Sequence, residues 1–374
     1  MRASDGRTVG RSDGMLVLAG ALLLSISPTV RLSGQDTSRI SEAQTVLSAL
    51  VESYGVSGAE GPVRETVKRL LPAWVKTDTD SAGNLWVRLG QGDPVVVFVA
   101  HLDEIGFLVD SILGDGTLTL RARGGFFHSL FEGQAALVHT ARGDVPGVFL
   151  PRDSAFARHT PPPLRVDVGA GTRAAALALG VTAGSTVTML KQYLRLAGTR
   201  ATGRSFDDRV GDAAQILALR HLDRTKLKHT VFFIWSTREE IGLEGAAAAA
   251  AALGPTPRRV HAIDTFVSAD SPLERPNFAV APLGRGAVAR AADNSAITPP
   301  AYVDSLVAVA QARHIAFQVG TTNGGNDGST FTPYGVPDVA LGWPLRYSHS
   351  PVEVVDLRDV ASLADLVQAL VEIW

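Results

Sequence analysis

Two continuous apolar runs, both rich in β-branched or aromatic residues, constrain the fold of this chain more than any other feature. They cover residues 94–100 and 230–235. Strands that are buried on both faces of a parallel sheet have this composition, whereas strands with one solvated face alternate apolar and polar residues. Parallel strands need long crossover connections, which are usually helices. The runs therefore predict an α/β fold with a mainly parallel sheet and helices on both faces.

The rest of the chain repeats this alternation on either side of a different middle region. Further strands are predicted at 84–89, 259–263 and 336–342, and helices at 40–71, 210–222, 246–253, 302–313 and 357–373. Between 109 and 196, short β-like pieces are separated by many glycines and prolines, which is typical of a small β-rich insert. We therefore expect a main domain in two parts, 35–108 and 197–374, with an inserted small β domain at 109–196.

The N-terminal segment has the layout of a secretory signal. Three arginines among the first 11 residues precede an apolar run at 15–26, and small and polar residues follow it. The run is too short to span a bilayer comfortably as a helix. We expect residues 1–34 to be a signal peptide, so that the protein is exported to the periplasm or the extracellular space without a stable membrane span after processing. An uncleaved anchor, or a start at Met15, is the alternative.

Composition narrows the chemistry of the chain. It has 374 residues, no cysteine and a formal net charge of -2. The lack of cysteine excludes disulfides, thiolate zinc sites and a cysteine nucleophile. Any metal must be held by His, Asp and Glu, which favours a catalytic ion over closed structural zinc. The charge gives no indication of nucleic acid or of an anionic membrane surface as a partner, and we expect neither.

Histidines and carboxylates follow the predicted strands at the edge of the sheet where α/β proteins bind ligands. Two divalent ions about 3.5–4 Å apart need a bridging carboxylate and a few further His or carboxylate ligands. A hydrolytic site also needs a carboxylate that remains free to act as general base, and an adjacent Glu pair can supply both a ligand and a base. Taken singly, the same residues also suit helix caps and helix starts. The residues at this edge are His101, Asp207, Asp208, Glu239, Glu240, Asp264 and His349.

Four segments resemble the glutamyl aminopeptidase or TET-type metallopeptidases, which form metallopeptidase family forty-two, and they follow one another in the same order as in that family. The resemblance runs from about residue 42 to the C-terminus, and it implies a zinc-peptidase-like fold. The segments are Ala-His-Leu-Asp-Glu-Ile-Gly-Phe at 100–107, Ser-Phe-Asp-Asp-Arg-Val-Gly at 205–211, Glu-Glu-Ile-Gly-Leu-Glu-Gly-Ala at 239–246 and Leu-Arg-Tyr-Ser-His-Ser-Pro-Val-Glu at 345–353.

This resemblance implies the ligands of two divalent metal ions in each chain. His101, Asp207 and Asp264 would hold one ion. Asp207, Glu240 and His349 would hold the other, so that Asp207 is the bridge. Zinc is the favoured ion, with cobalt and manganese as alternatives.

The same resemblance implies the reaction and the residues that support it. Glu239 would be the general base, and Asp103 would orient the imidazole of His101. The protein would remove N-terminal residues from peptide substrates with a water molecule that the two ions activate. The alternatives are a two-metal carboxypeptidase or N-acyl-amino-acid deacylase, and a peptide-binding module without catalytic activity.

The resemblance also has implications for the assembly and the location of the protein, and the sequence departs from the family in some features. The main domain would be catalytic, and the insert would mediate dimer contacts within a homo-oligomer that is a dimer or larger, up to a dodecamer. Most of the family is cytosolic, so an export signal is a departure from it. Arg238 stands where an uncharged residue is expected, and the insert is unusually proline-rich at 151–163.

Overall fold

The computed structural model describes residues 34–152, 162–270 and 280–373. Nearly all of the predicted signal peptide and most of the proline-rich stretch lie outside these residues. The helices are α1 (Gly34–Val51), α2 (Gly61–Leu70), α3 (Arg173–Ala178), α4 (Phe206–His221), α5 (Glu244–Leu253), α6 (Pro300–Ala312) and α7 (Leu357–Ile373). The strands are β1 (Asp78–Thr79), β2 (Leu85–Leu89), β3 (Val95–His101), β4 (Gly106–Ile112), β5 (Leu118–Arg123), β6 (Ala135–Thr140), β7 (Gly143–Phe149), β8 (Arg165–Asp167), β9 (Thr186–Met189), β10 (Leu194–Arg195), β11 (Arg200–Gly203), β12 (Thr230–Ser236), β13 (Arg259–Val267), β14 (Ala287–Ala292), β15 (Phe317–Thr321), β16 (Leu341–Leu345) and β17 (Glu353–Asp356).

An eight-stranded sheet forms the centre of the main domain, with the strand order β1-β2-β12-β3-β13-β16-β14-β15. The four central strands, β12, β3, β13 and β16, run parallel to one another. Antiparallel pairs appear towards the edges, where β2 pairs with β12 and β14 pairs with β16. The predicted α/β class with a mainly parallel sheet is therefore confirmed, and its central strands place their carboxyl ends along one edge.

Burial on both faces explains why β3 is apolar throughout. Phe98 belongs to the hydrophobic cluster that the sheet forms with α1, α4 and α7. Val97 and Val99 point to the opposite face, where they pack with Ala249 and Ala250 of α5. Because successive side chains of a strand alternate between faces, a strand covered on both sides needs an apolar residue at every position.

A separate six-stranded barrel lies between β3 and α4 along the chain. It closes in the order β4-β5-β8-β7-β6-β9. Its core contains Phe107, Phe131 and Phe149, whose rings lie 5.3–5.8 Å apart between centroids. This core is distinct from the clusters that cover the large sheet. The limits 108/109 and 196/197 for the inserted domain remain predictions.

Several predicted elements differ from the observed ones. The helix predicted at 40–71 is two helices, α1 and α2. The strand predicted at 336–342 lies further along the chain as β16, and β13 continues to Val267, so Asp264 lies within that strand and not at its end. Strands β14 and β15 were not predicted, because the sequence of β14, Ala-Val-Ala-Arg-Ala-Ala, suits a helix equally well.

Among the described residues, no helix is both long and apolar enough to cross a membrane.

Candidate metal centre

Strand register brings the first predicted ligands together at one edge of the sheet. His101 is the last residue of β3 and pairs with Ser236, the last residue of β12. On the other side of β3, Ala262 pairs with Val99, and two residues further along each strand lie Asp264 and His101. Parallel strands keep such residues level. The sheet itself thus places an imidazole and a carboxylate side by side.

Three buried residues at this edge form a cluster that suits a metal ion. His101, Asp207 and Asp264 each offer one ligand atom, and these atoms lie within 4.8 Å of one another. The His101 Nε2 atom lies 3.2 Å from Asp207 Oδ1. On the other side of the ring, Nδ1 lies 3.2 Å from the backbone carbonyl oxygen of Asp103, to which it donates. That hydrogen bond leaves the lone pair on Nε2, which faces the cluster.

The second predicted group lies next to the first and shares Asp207 with it. The His349 Nε2 atom is 3.5 Å from Asp207 Oδ2 and 3.3 Å from Glu240 Oε2. Its Nδ1 atom lies 2.6 Å from the carbonyl oxygen of Gly125, to which it donates, so Nε2 again carries the lone pair. Glu240 Oε1 is buried and has no hydrogen-bond partner among the residues that the structure describes. An orphaned carboxylate oxygen beside an imidazole lone pair fits a second cation.

Asp103 contacts the Glu pair as well as the imidazole that it is predicted to orient. Its carboxylate accepts hydrogen bonds from the backbone N–H groups of Glu239, at 2.9 Å, and of Glu240, at 3.1 Å. The Ser57 hydroxyl donates to the same carboxylate. The His101 Nδ1 atom is 3.6 Å from an Asp103 carboxylate oxygen, further than from the Asp103 carbonyl oxygen. Asp103 therefore fixes the turn that carries Glu239 towards the cluster.

Asp208 does not contribute to the metal cluster, although it neighbours Asp207. Its carboxylate accepts from the backbone N–H of His101 at 2.9 Å and from that of Gly211 at 3.0 Å. The second bond satisfies a free N–H in the first turn of α4, as a helix cap does. One aspartate of the pair thus ties the helix start to β3, and the other faces the metal site.

Four carboxylates lie close together in this cluster, and we call them the site carboxylates: Asp207, Glu239, Glu240 and Asp264. Burial and the nearby charges of other carboxylates raise the pKa of Glu239 well above its ordinary value. Burial also raises the pKa of Asp264 to about 6, although Arg290 opposes the shift. Burial and mutual repulsion together make this arrangement unfavourable for anions alone. Divalent cations would supply the missing positive charge.

Three supporting residues were not predicted from the sequence. Arg290, on β14, lies 3.1 Å from Asp264 Oδ2 through its Nη1 atom. The buried Glu353 carboxylate accepts from the backbone N–H of Phe206 at 2.6 Å and from that of His349 at 3.0 Å. Asp327 accepts from the Ser236 hydroxyl, and burial raises its pKa to about 7. Glu353 stands in the fourth segment of the resemblance, and Asp327 lies in a stretch at 323–328 that is rich in glycine and asparagine, so a signal existed for both, whereas nothing marked Arg290.

The cluster opens into a cavity of about 310 Å³. All five predicted ligands and Glu239 line it, and the loop at 323–325 forms another part of the wall. This loop, with the sequence Asn-Gly-Gly, therefore lies against the site. A cleft of this size, lined by convergent polar groups, is typical of a substrate site.

Taken together, the parallel sheet, the shared Asp207 and the two imidazoles define a metal-dependent hydrolase of the α/β class. Comparison with known proteins makes this more specific. The family model of the M42 glutamyl aminopeptidases matches residues 83–366, and the chain belongs to this family.

Relatives named as aminopeptidases cover most of the chain. The lysyl aminopeptidase of Pyrococcus furiosus is 30% identical over an alignment of 341 residues that covers 87% of this chain and 96% of the relative. The glutamyl aminopeptidase of Lactococcus lactis is 27% identical, and the alignment covers 87% of this chain and 94% of the relative. The TET1 peptidase of Pyrococcus horikoshii, described as able to assemble into a tetrahedron or a large octahedral shell, has a TM-score of 0.79 and 33% identity over 89% of this chain and 98% of its own.

These findings confirm the predicted family and its activity. The chain is an aminopeptidase of a metal-dependent family. The number and identity of the ions, and the role of each site residue, stay predictions.

The prediction of export to the periplasm or the extracellular space is wrong. The chain matches TET aminopeptidases over nearly nine-tenths of its length, and these are cytosolic enzymes, as the family resemblance already implied. The physical reason is that a basic segment followed by a short apolar run is a weak signal, since many N-terminal segments share that composition. The predicted signal peptide at 1–34 lies, apart from Gly34, outside the described residues.

Proposed function

We propose that this aminopeptidase removes N-terminal residues from peptides with two divalent metal ions in each chain, and that Glu239 is its general base. Zinc is the ion that we favour, with cobalt and manganese as alternatives. The observation that carries the proposal is the cluster in which ligand atoms of His101, Asp207 and Asp264 lie within 4.8 Å of one another.

In this proposal Asp207 would be a ligand shared by the two ions. His101 and Asp264 would complete the ligands of one ion, and Glu240 and His349 would complete those of the other. Support comes from the two imidazoles, whose Nδ1 atoms lie at hydrogen-bond distance from carbonyl oxygens while their Nε2 atoms face the carboxylates. It also comes from Asp207, whose two oxygens lie 3.2 Å and 3.5 Å from the two different imidazoles.

Glu239 is the side chain that we assign to proton transfer. When bound, divalent ions lower the pKa of water from about 15.7 to about 7 and polarise a carbonyl group. Glu239 would accept the proton of the attacking water and deliver it to the leaving amine. Its Oε2 atom lies 3.9 Å from His101 Nε2, so it stands beside the cluster. Its backbone is held by Asp103 at 2.9 Å, which keeps the carboxylate in place between the two transfers.

The replacement Glu239→Gln tests this assignment. We expect kcat on aminoacyl p-nitroanilides to fall by about 10²–10⁴-fold, because that is the usual contribution of a general base. Bound metal, measured on the purified protein, should stay at the wild-type level. The exposed Glu52 offers a matched control, since Glu52→Gln makes the same chemical change away from the site.

Two outcomes would contradict the assignment. Normal turnover by the Glu239→Gln enzyme would show that another group transfers the proton. Loss of metal from that variant, with the Glu52→Gln protein fully loaded, would mean that Glu239 is a ligand. Loading the wild-type enzyme with zinc, cobalt and manganese in parallel, and comparing kcat, tests the choice of ion.

We also propose that the chain forms a homo-oligomer, a dimer or a larger assembly, with the barrel at the contact. The description of the Pyrococcus horikoshii peptidase as a tetrahedron or octahedral shell supports this proposal. Light scattering after size exclusion gives the mass directly, and a monomer at micromolar concentration would contradict it.

A further inference from the structure

We propose that this enzyme prefers peptides whose N-terminal side chain is uncharged. The inference rests on the proposed aminopeptidase function and concerns the same cavity. Apart from the ligands and Glu239, the described part of the cavity wall consists of Thr265, Val267, Arg290, Ser348 and the loop at 323–325. A charged substrate side chain would need an opposite charge on this wall that no other group occupies.

Arg290 is the one cation among these wall residues, and its contacts already neutralise it. Its Nη1 atom lies 3.1 Å from Asp264 Oδ2 and donates to the Thr265 carbonyl oxygen at 3.0 Å. Its Nη2 atom lies 2.9 Å from Asp293 Oδ2 and donates to the Gly325 carbonyl oxygen at 2.9 Å. Two carboxylates therefore oppose one guanidinium, whose side chain is 1% exposed. An N-terminal Glu or Asp finds no free arginine here.

A basic side chain meets the opposite difficulty. The carboxylates that line the described part of the cavity are the four site carboxylates. Three of them are proposed ligands and the fourth is the proposed base, so none is left to pair with a lysine or an arginine. The bound divalent ions would also repel a cationic side chain at close range.

The remaining wall suits a neutral side chain. Val267 is half-buried and apolar, and Gly324 and Gly325, which have no side chains, line the same cavity. Gly324 has a φ of 87°, which favours glycine, so this part of the wall carries no side chain. The Thr265 hydroxyl is buried and has no hydrogen-bond partner within the structure described. Burying an unpaired charge against such groups is strongly unfavourable, whereas an apolar or hydroxyl side chain is accommodated.

A panel of p-nitroanilides tests the inference on the wild-type, metal-loaded enzyme. The panel contains Leu, Met, Ala, Glu and Lys substrates, each with a free and with an acetylated N-terminus. We expect kcat/KM for the best neutral substrate to exceed that for the Glu and Lys substrates by at least about tenfold, since a tenfold ratio needs only about 1.4 kcal/mol of transition-state binding.

The panel separates failure of this inference from failure of the proposed function. Highest kcat/KM on the Glu or the Lys substrate, or values within about threefold across the panel, would overturn the neutral preference and leave the aminopeptidase standing. Hydrolysis of the acetylated substrates alone would overturn the proposed function and, with it, this inference.

A replacement next to Arg290 tests whether the neutralisation of this arginine causes the discrimination against acidic side chains. Asp293→Asn removes one of the two charges that oppose Arg290, so the Glu substrate should gain at least about threefold in kcat/KM relative to the Leu substrate. Asp144→Asn, on the barrel strand β7, is the matched control because it changes the net charge equally at a distant, half-exposed position. An unchanged Glu-to-Leu ratio in an active Asp293→Asn enzyme, or an equal gain in the control, would overturn the explanation.

Discussion

Glu104 is a buried carboxylate whose removal should destabilise the protein strongly. It lies within the first segment of the resemblance, at 100–107, and is held among three cations, Lys191, Arg204 and Arg209. Lys191 Nζ lies 2.8 Å from Glu104 Oε2, Arg204 donates to the same oxygen, and Arg209 Nη2 lies 3.7 Å from Oε1. These side chains are at most 2% exposed, so water screens their charges little. The perturbation that we consider is Glu104→Gln, which keeps the shape and removes the charge.

The magnitude follows from what the replacement leaves unpaired. Glu104 Oε1 accepts from the backbone N–H of Gly55 at 2.7 Å, while Oε2 accepts from cations and from the Ser205 hydroxyl. A glutamine has one acceptor oxygen, so its NH₂ group must face donors on one of the two sides. The cations also lose their counter-charge. Breaking a buried ion pair by removing one partner costs about 3–5 kcal/mol, and we expect the free energy of unfolding to fall by that amount at pH 7.

The pH dependence has a definite sign. Burial raises the pKa of Glu104, but the neighbouring cations outweigh it and hold the pKa well below its ordinary value. An unfolded glutamate titrates near about 4.3. The stabilisation from Glu104 is therefore fully present above that pH, and it is lost as the pH falls towards the folded-state pKa. The difference between wild type and Glu104→Gln should be largest near neutral pH and should narrow below about pH 4.

Urea unfolding followed by tryptophan fluorescence measures the effect. Both proteins are kept in chelator, so that metal release does not contribute to the pH dependence. Glu52→Gln, at an exposed position, is the control for the chemical change and should shift the free energy of unfolding by less than about 0.5 kcal/mol. A Glu104→Gln effect below about 1 kcal/mol at pH 7 would refute the reasoning. So would a difference that does not narrow as the pH falls from about 4 to about 2.

Three further perturbations have expected outcomes. Phe131→Ala should lower the free energy of unfolding by about 3–5 kcal/mol in urea titrations, since the buried ring lies 5.3 Å from that of Phe107 in the barrel core, and a loss under about 1 kcal/mol would contradict this. Removing bound metal by chelation should lower the melting temperature in a thermal scan, because the site carboxylates then repel one another, and an unchanged or higher temperature would count against a metal site. Arg238→Ala should leave the relative kcat/KM of neutral and charged substrates within about twofold. Arg238 is turned towards Glu244, 2.6 Å away, and away from the cavity, so a larger change would give it a role in substrate selection.

The central strands could be predicted because burial on both faces demands one kind of sequence. The runs at 94–100 and 230–235 differ from β3 and β12 by one residue at most at each end. Strand β14 was missed because four of its six residues are alanines outside any alternating pattern, and its neighbours in the sheet alone make it a strand. Arg290 was missed with it, although it contacts a predicted ligand.

The candidate site was also predictable only in part. The resemblance named a set of side chains that the fold brings to one cavity, because motif residues at strand ends stay together wherever the strands are parallel. The hydrogen bonds that orient these side chains could not be predicted from the sequence. Asp103 contacts the backbone of residues 136 and 137 positions away, and Glu353 does so across 147. Such contacts depend on the relative placement of distant segments, which local patterns do not specify.

The hydrogen bond between His349 and the carbonyl oxygen of Gly125 crosses from the main domain to the inserted region. One of the proposed metal ligands is thus oriented by a backbone atom that lies 224 positions earlier in the chain. The barrel is therefore not an interchangeable module. Chimaeras that exchange it between relatives must keep the loop at Gly125 in register, because a displaced carbonyl oxygen would no longer orient the His349 imidazole.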